Sequence, residues 1–139
     1  MMVSGSIFQH GKFKLNSGRE SDYKIECDNL TKTSIITLSQ LLTKLVGQFG
    51  TVVGVPKGGL LIAKHLQKYA TPKKSRLVLI VDDVWTTGGS MMRYAKDIGV
   101  NPEKDYIKGH FKGAVLFSRG PLKEWCKAVL SFDQELFQV

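Results

Sequence analysis

VLIVDDVWTTGGSM, residues 78–91, is the stretch that decides the fold. An apolar run ends in adjacent aspartates, and a turn rich in hydroxyls and glycine follows before a run with helical character. Short apolar runs bounded by turn residues suit strands buried on both faces, as in a parallel sheet covered by helices. Residues 77–81 are therefore read as such a strand, and residues 90–98 as a helix ended by Gly99. Outward from this centre the alternation continues. Residues 13–15 and 23–27 read as short strands around the polar turn NSGRESD. In residues 31–48 the apolar positions Ile35, Leu38, Leu41, Leu42, Leu45 and Val46 recur at helical spacing, with cap candidates at 28–31 and Gly50 beyond the end. A β-rich run at 51–55 leads through GVPKGG into a helix at 60–69. ATPKKSR, residues 70–76, is a polar loop, and further strands are expected at 114–118 and 128–132.

Strands alternating with helices predict an α/β fold, a parallel twisted sheet with helices on both faces. Ligands in such folds bind outside the carboxyl ends of the strands. GVPKGG, DDVWTTGG and SRGP should then meet on one edge, with Asp82 and Asp83 at the end of a central strand.

Composition narrows the classes. The chain has 139 residues, 42% hydrophobic and 23% charged, which suits a single domain over 1–139 with its own core. No apolar run is long enough for a membrane span, so no membrane partner is expected. The first residues carry no charged segment followed by an apolar one, so the expectation is a cytoplasmic chain. Cys27 and Cys126 are far apart and read as buried free thiols, and the three histidines lack metal-ligand spacing. The net charge of +8 comes from dispersed lysines and arginines without a nucleic-acid-binding motif. An anionic small molecule is favoured over nucleic acid as the partner.

DDVWTTGGS reads as a chemical device. Thr86, Thr87, Gly88, Gly89 and Ser90 offer hydroxyls and unobstructed N–H groups before a helix, a cradle for phosphate. Neither GxxxxGK[ST] nor GxGxxG is present, so this is no Walker loop and no dinucleotide fingerprint. Asp82 and Asp83 cannot hold phosphate, but carboxylates accept hydrogen bonds from sugar hydroxyls and assist a hard cation such as Mg²⁺. The combination suits a ribose 5-phosphate. The plainer alternative is a solvated turn with helix-start signals. Lys57, in its glycine-flanked turn, is either an anion ligand or a solvated lysine.

The stretch resembles the phosphoribosyl pyrophosphate (PRPP) motif of type I phosphoribosyltransferases. FKLNSGRESDYKIECD, residues 13–28, is similar to the N-terminal signature of the orotate branch, and VVGVPKGGLLIA to that family's pyrophosphate loop and following helix. The resemblance implies the family's fold with small N-terminal hood strands, a homodimer, and transfer of phosphoribosyl from PRPP to a nucleobase, orotate first, with Mg²⁺. By the same resemblance Asp82 and Asp83 hold the ribose hydroxyls and serve the metal. Residues 86–90 take the 5-phosphate, while Val55, Pro56, Lys57 and Gly58 take pyrophosphate. Arg119, in FSRGP, falls where the family contacts the orotate carboxylate, and its alternative is a surface arginine after a strand. Trp85, inside the motif, reads as a core or loop packing residue, with packing beneath a base as the alternative, and Trp125 reads as core.

Departures from the pattern are visible. Asn16 replaces the lysine expected before SGR, and Lys24 and Ile25 stand where the family has aromatics. The family's strand and long basic lid loop are missing between the pyrophosphate-loop helix and the PRPP strand. Only ATPKKSR fills that gap, and Lys73 and Lys74 are the candidates to supply the lid's charge. Lid closure excludes water and orders reactants, so a slow enzyme is expected; the alternative is a PRPP- or nucleotide-sensing module of the same fold.

Overall fold

The computed structural model describes residues 31–132 in full and residues 8–14 and 20–25 as backbone. β1 (Phe8–Lys14) and β2 (Glu20–Ile25) form an antiparallel pair of their own, irregular in register between His10 and Phe13. The remaining elements are α1 (Lys32–Val46), β3 (Thr51–Gly54), α2 (Gly59–Leu66), β4 (Val78–Trp85), α3 (Gly89–Asp97), α4 (Pro102–Ile107), β5 (Phe111–Ser118) and β6 (Cys126–Ser131). β3 to β6 pair in chain order, all parallel.

Alternation along β4 and β5 divides the core. Leu79, Val81, Ala114 and Leu116 pack against Leu42 and Val46 of α1 and Ile62 and Leu66 of α2. Ile80 and Val115 pack on the other face against Met91 and Ala95 of α3, with Trp85, Phe111 and Trp125. Helices thus cover both faces, as the solid apolar runs require. Among the described residues no helix is long and apolar enough to cross a membrane.

Local signals set the helix ends. Thr31 caps α1 by accepting the Ser34 N–H at 3.1 Å. The helix stops at Gly47, with φ 75°, rather than running to residue 48, and Gly47 donates to the Thr43 carbonyl. Lys112 of β5 donates to the Val46 carbonyl at 2.9 Å, placing its charge at the negative end of α1. The expected helix at 60–69 is α2 followed by a 3₁₀ turn, Gln67–Tyr69. α4, absent from the sequence reading, is announced by Asn101, whose side chain caps Lys104, and by Pro102 in the first turn. Cys126 is buried and free; Cys27 lies outside the described residues.

The largest difference concerns β4. Pairing with β5 continues past Val81, with Asp82 opposite Val115, Val84 opposite Phe117 and Trp85 opposite Ser118. The aspartates are therefore strand residues, not loop residues.

Candidate active site

The parallel order β3-β4-β5 places three loops side by side at the carboxyl edge. Val55 donates to the Val81 carbonyl at 2.8 Å, and Gly59 donates back to Val55 at 2.8 Å, which turns the chain into α2. The Pro56–Lys57 peptide in this turn is cis. Glycine lets the turn lie flat on β4. A Cβ on Gly59 would overlap the Val81 carbonyl oxygen and stand 3.1 Å from the Gly54 Cα. A Cβ on Gly58 would overlap the Asp83 carboxylate. The turn expected to meet pyrophosphate thus rests on one of the two acids.

Asp82 and Asp83 follow one another on β4, and their carboxyl groups lie within hydrogen-bonding reach of each other. Asp83 is half-buried and faces the Gly58 turn, and its Oδ1 accepts the Val84 N–H at 2.8 Å. Asp82 is 8% exposed, and its Oδ1 accepts the Asp83 N–H at 2.8 Å. Burial, then the Asp83 charge and a hydrogen bond shared with that carboxylate, push the Asp82 carboxyl up to about 8. Near neutral pH Asp82 therefore holds a proton. Burial, with the Asp82 charge adding to it, pushes the Cys126 thiol up to about 12.

Beyond Trp85 the chain passes Thr86 and Thr87 to Gly88, which has φ +85°. A Cβ there would run into the Trp85 indole, so backbone conformation and space both demand glycine. Thr87 is exposed, Thr86 and Ser90 are half-buried, and α3 begins at Gly89. The third loop follows β5. Arg119 donates its N–H to the Trp85 carbonyl at 2.9 Å, Ser118 Oγ donates to the Gly120 carbonyl at 2.6 Å, and a Cβ on Gly120 would press on the Thr86 carbonyl. Arg119 is 6% exposed and is no surface arginine.

Of the candidate residues, Pro56, Lys57, Gly58, Asp83, Arg119 and those of the 86–90 turn lie on these loops or beside them. Val55 is on the loop but offers no donor. Its side chain packs in the α3-side core, and its N–H is bonded to Val81. Lys73 and Lys74 are not brought to the site at all. Thr71 donates to the Phe49 carbonyl, and Gly50 and Thr51 both donate to Leu77. The 70–76 connection therefore lies at the amino edge, where β3 and β4 begin. Roughly 13 Å of strand separates that edge from Asp82. A chain running from a helix end straight into the next parallel strand has no other course. The sequence reading also missed the Gly54–Gly59 approach and the bond from Arg119 to the Trp85 carbonyl.

Among the described residues no group of three or more His, Cys, Asp or Glu side chains could hold a metal. Mg²⁺ fits such a site only in its usual manner, on one or two carboxylates with water and substrate oxygens completing the shell. Asp83 is the carboxylate in position, because Asp82 is buried and protonated.

This architecture, a parallel sheet flanked by helices with these loops at its carboxyl edge, is the type I phosphoribosyltransferase fold. The crystal structure of orotate phosphoribosyltransferase from Aeropyrum pernix superposes with a TM-score of 0.65 at 24% identity, over 90% of this chain and 88% of that one. The chain is 29% identical over 119 residues to an orotate phosphoribosyltransferase of Methanothermobacter thermautotrophicus, covering 68% of this chain and 66% of that protein, just under two thirds of its length. It is also 29% identical over 136 residues to the orotate phosphoribosyltransferase of Methanosphaera stadtmanae, covering 77% and 76%. No protein-family model matches the chain. The chain is thus related to orotate phosphoribosyltransferases at modest identity.

Proposed function

We propose that the protein transfers a phosphoribosyl group from PRPP to a nucleobase, orotate first, with release of pyrophosphate. The observation that carries the reading is the meeting of three loops at one point, Gly58 on the Asp83 carboxylate and Gly120 on the Thr86 carbonyl. In this reading the 86–90 turn takes the 5-phosphate with its hydroxyls and N–H groups at the start of α3. Asp83 accepts hydrogen bonds from the ribose hydroxyls, and the protonated Asp82 buttresses it. Pro56, Lys57 and Gly58 border the diphosphate, and Lys57 supplies positive charge where negative charge develops. Arg119 stands on the base side. The C1–oxygen bond breaks with its electron pair leaving on pyrophosphate, and a base nitrogen closes on C1 from the other face, its proton passing to the departing pyrophosphate or to water. Mg²⁺, when bound with PRPP, neutralises the diphosphate and makes it a better leaving group.

A second reading is favoured by one observation. The 70–76 connection lies at the amino edge and cannot close over the ligand, so a PRPP- or nucleotide-sensing module with little turnover is the alternative. One experiment separates the two: pyrophosphate release from PRPP with Mg²⁺ across a panel of pyrimidine and purine bases, beside a base-free control. Base-dependent release that Asp83→Asn abolishes supports the enzyme. PRPP binding without release from any base supports the sensor, and no PRPP binding overturns both.

A further inference from the structure

We propose that Trp85 is a positioning residue that couples the phosphate-side turn at 86–90 to the base-side loop at 118–121. The inference deepens the functional reading above and rests on it. Trp85 ends β4 at 2% exposure, between the two loops. Its indole N–H donates to the Pro121 carbonyl at 3.0 Å, and its own carbonyl accepts the Arg119 N–H at 2.9 Å. On the phosphate side its six-membered ring lies against Gly88 so closely that no side chain fits there. Behind it stands Trp125, edge-on at 5.4 Å and 70°, which in turn leans on Phe111 at 5.2 Å.

Packing alone does not account for this choice. A core position between sheet and helix asks only for apolar volume, which valine, isoleucine or leucine supplies. Tryptophan adds an N–H that must find an acceptor once buried. Here the acceptor is in the other loop. Gly88 leans on one side of the indole and Pro121 is bonded to its edge, with Trp125 behind as a backstop. A shift of the phosphate turn is therefore transmitted to Arg119 and Pro121. Loss of the N–H leaves the Pro121 carbonyl without its donor and lets the base-side loop drift while the phosphate turn stays seated.

The test compares two ligands by calorimetric titration. Ribose 5-phosphate reaches the phosphate turn and Asp83 but not the base-side loop, whereas orotidine 5′-monophosphate spans both loops. The parent is set against Trp85→Phe and against a variant carrying 3-benzothienylalanine at position 85, which exchanges N–H for sulfur and keeps the ring shape. Both variants should bind ribose 5-phosphate within about twofold of the parent and the nucleotide roughly tenfold more weakly, the scale of one buried hydrogen bond. Equal weakening of both ligands would show a merely structural role and overturn the proposal. So would unchanged nucleotide affinity in the benzothienyl variant. A parent that binds ribose 5-phosphate but gains nothing from the base overturns the coupling and leaves the phosphate site standing. A parent that binds neither ligand overturns the functional reading together with the coupling.

Discussion

Replacing Asp82 by asparagine should make the protein more stable, and by an amount that grows with pH. The carboxyl titrates at 3.8 in an unfolded chain and at about 8 in the fold, chiefly because it is buried and secondarily because Asp83 is beside it. Between those values the native state holds a proton that the unfolded state has released. This contribution to stability is complete below pH 4, falls by about 1.4 kcal/mol per pH unit through the window, and is gone above pH 8. Asparagine removes the titration while keeping the local bonds. Its oxygen still accepts the Asp83 N–H, now at 2.8 Å, and its amide supplies the donor that the protonated acid supplies. Parent and Asp82→Asn should therefore match below pH 4, and between pH 5 and pH 8 the variant's lead should widen by about 4 kcal/mol. In a chain of this size that is a difference in Tm of about 10–15 °C. Urea denaturation of both proteins at several pH values from 5 to 9 measures it. A difference that does not change with pH, or that favours the parent as pH rises, would refute the reasoning. A buried acid whose removal stabilises the fold is characteristic of a residue held for function.

Gly59→Ala should destabilise by about 2–3 kcal/mol, because the obstacles are the Val81 carbonyl oxygen and the Gly54 Cα rather than yielding side chains. The better helix propensity of alanine offsets at most about 1 kcal/mol, and thermal melts in the absence of ligand decide the sign. Lys73→Ala with Lys74→Ala should leave PRPP affinity within about twofold of the parent. Their backbone lies at the amino edge, roughly 13 Å of strand from Asp82 and beyond one Debye length of about 8 Å, and titration with PRPP and Mg²⁺ at physiological salt measures this. A large loss would mean that the 70–76 connection reaches the site after all.

Several features were legible in the residues alone. An apolar run long enough for one strand, closed by acids and a hydroxyl-glycine turn, admits few placements. Repeated strand-helix alternation then dictates a parallel sheet whose loops gather at one edge. Thr31 and Gly99 also mark the helix ends they were expected to mark, since caps act through neighbours in the chain. Tertiary structure decided the rest. That Asp82 is buried beside a half-buried Asp83 follows from the strand continuing to Trp85, and pairing with β5 extends it. Lys73 and Lys74 are near the PRPP motif in sequence and at the far edge in space, because a parallel strand must be entered at its amino end. Gly58 against Asp83 and Trp85 against Pro121 are meetings between loops, and no local pattern encodes them. Chain-local physics is written residue by residue, whereas the site is assembled from segments that only the packed sheet brings together.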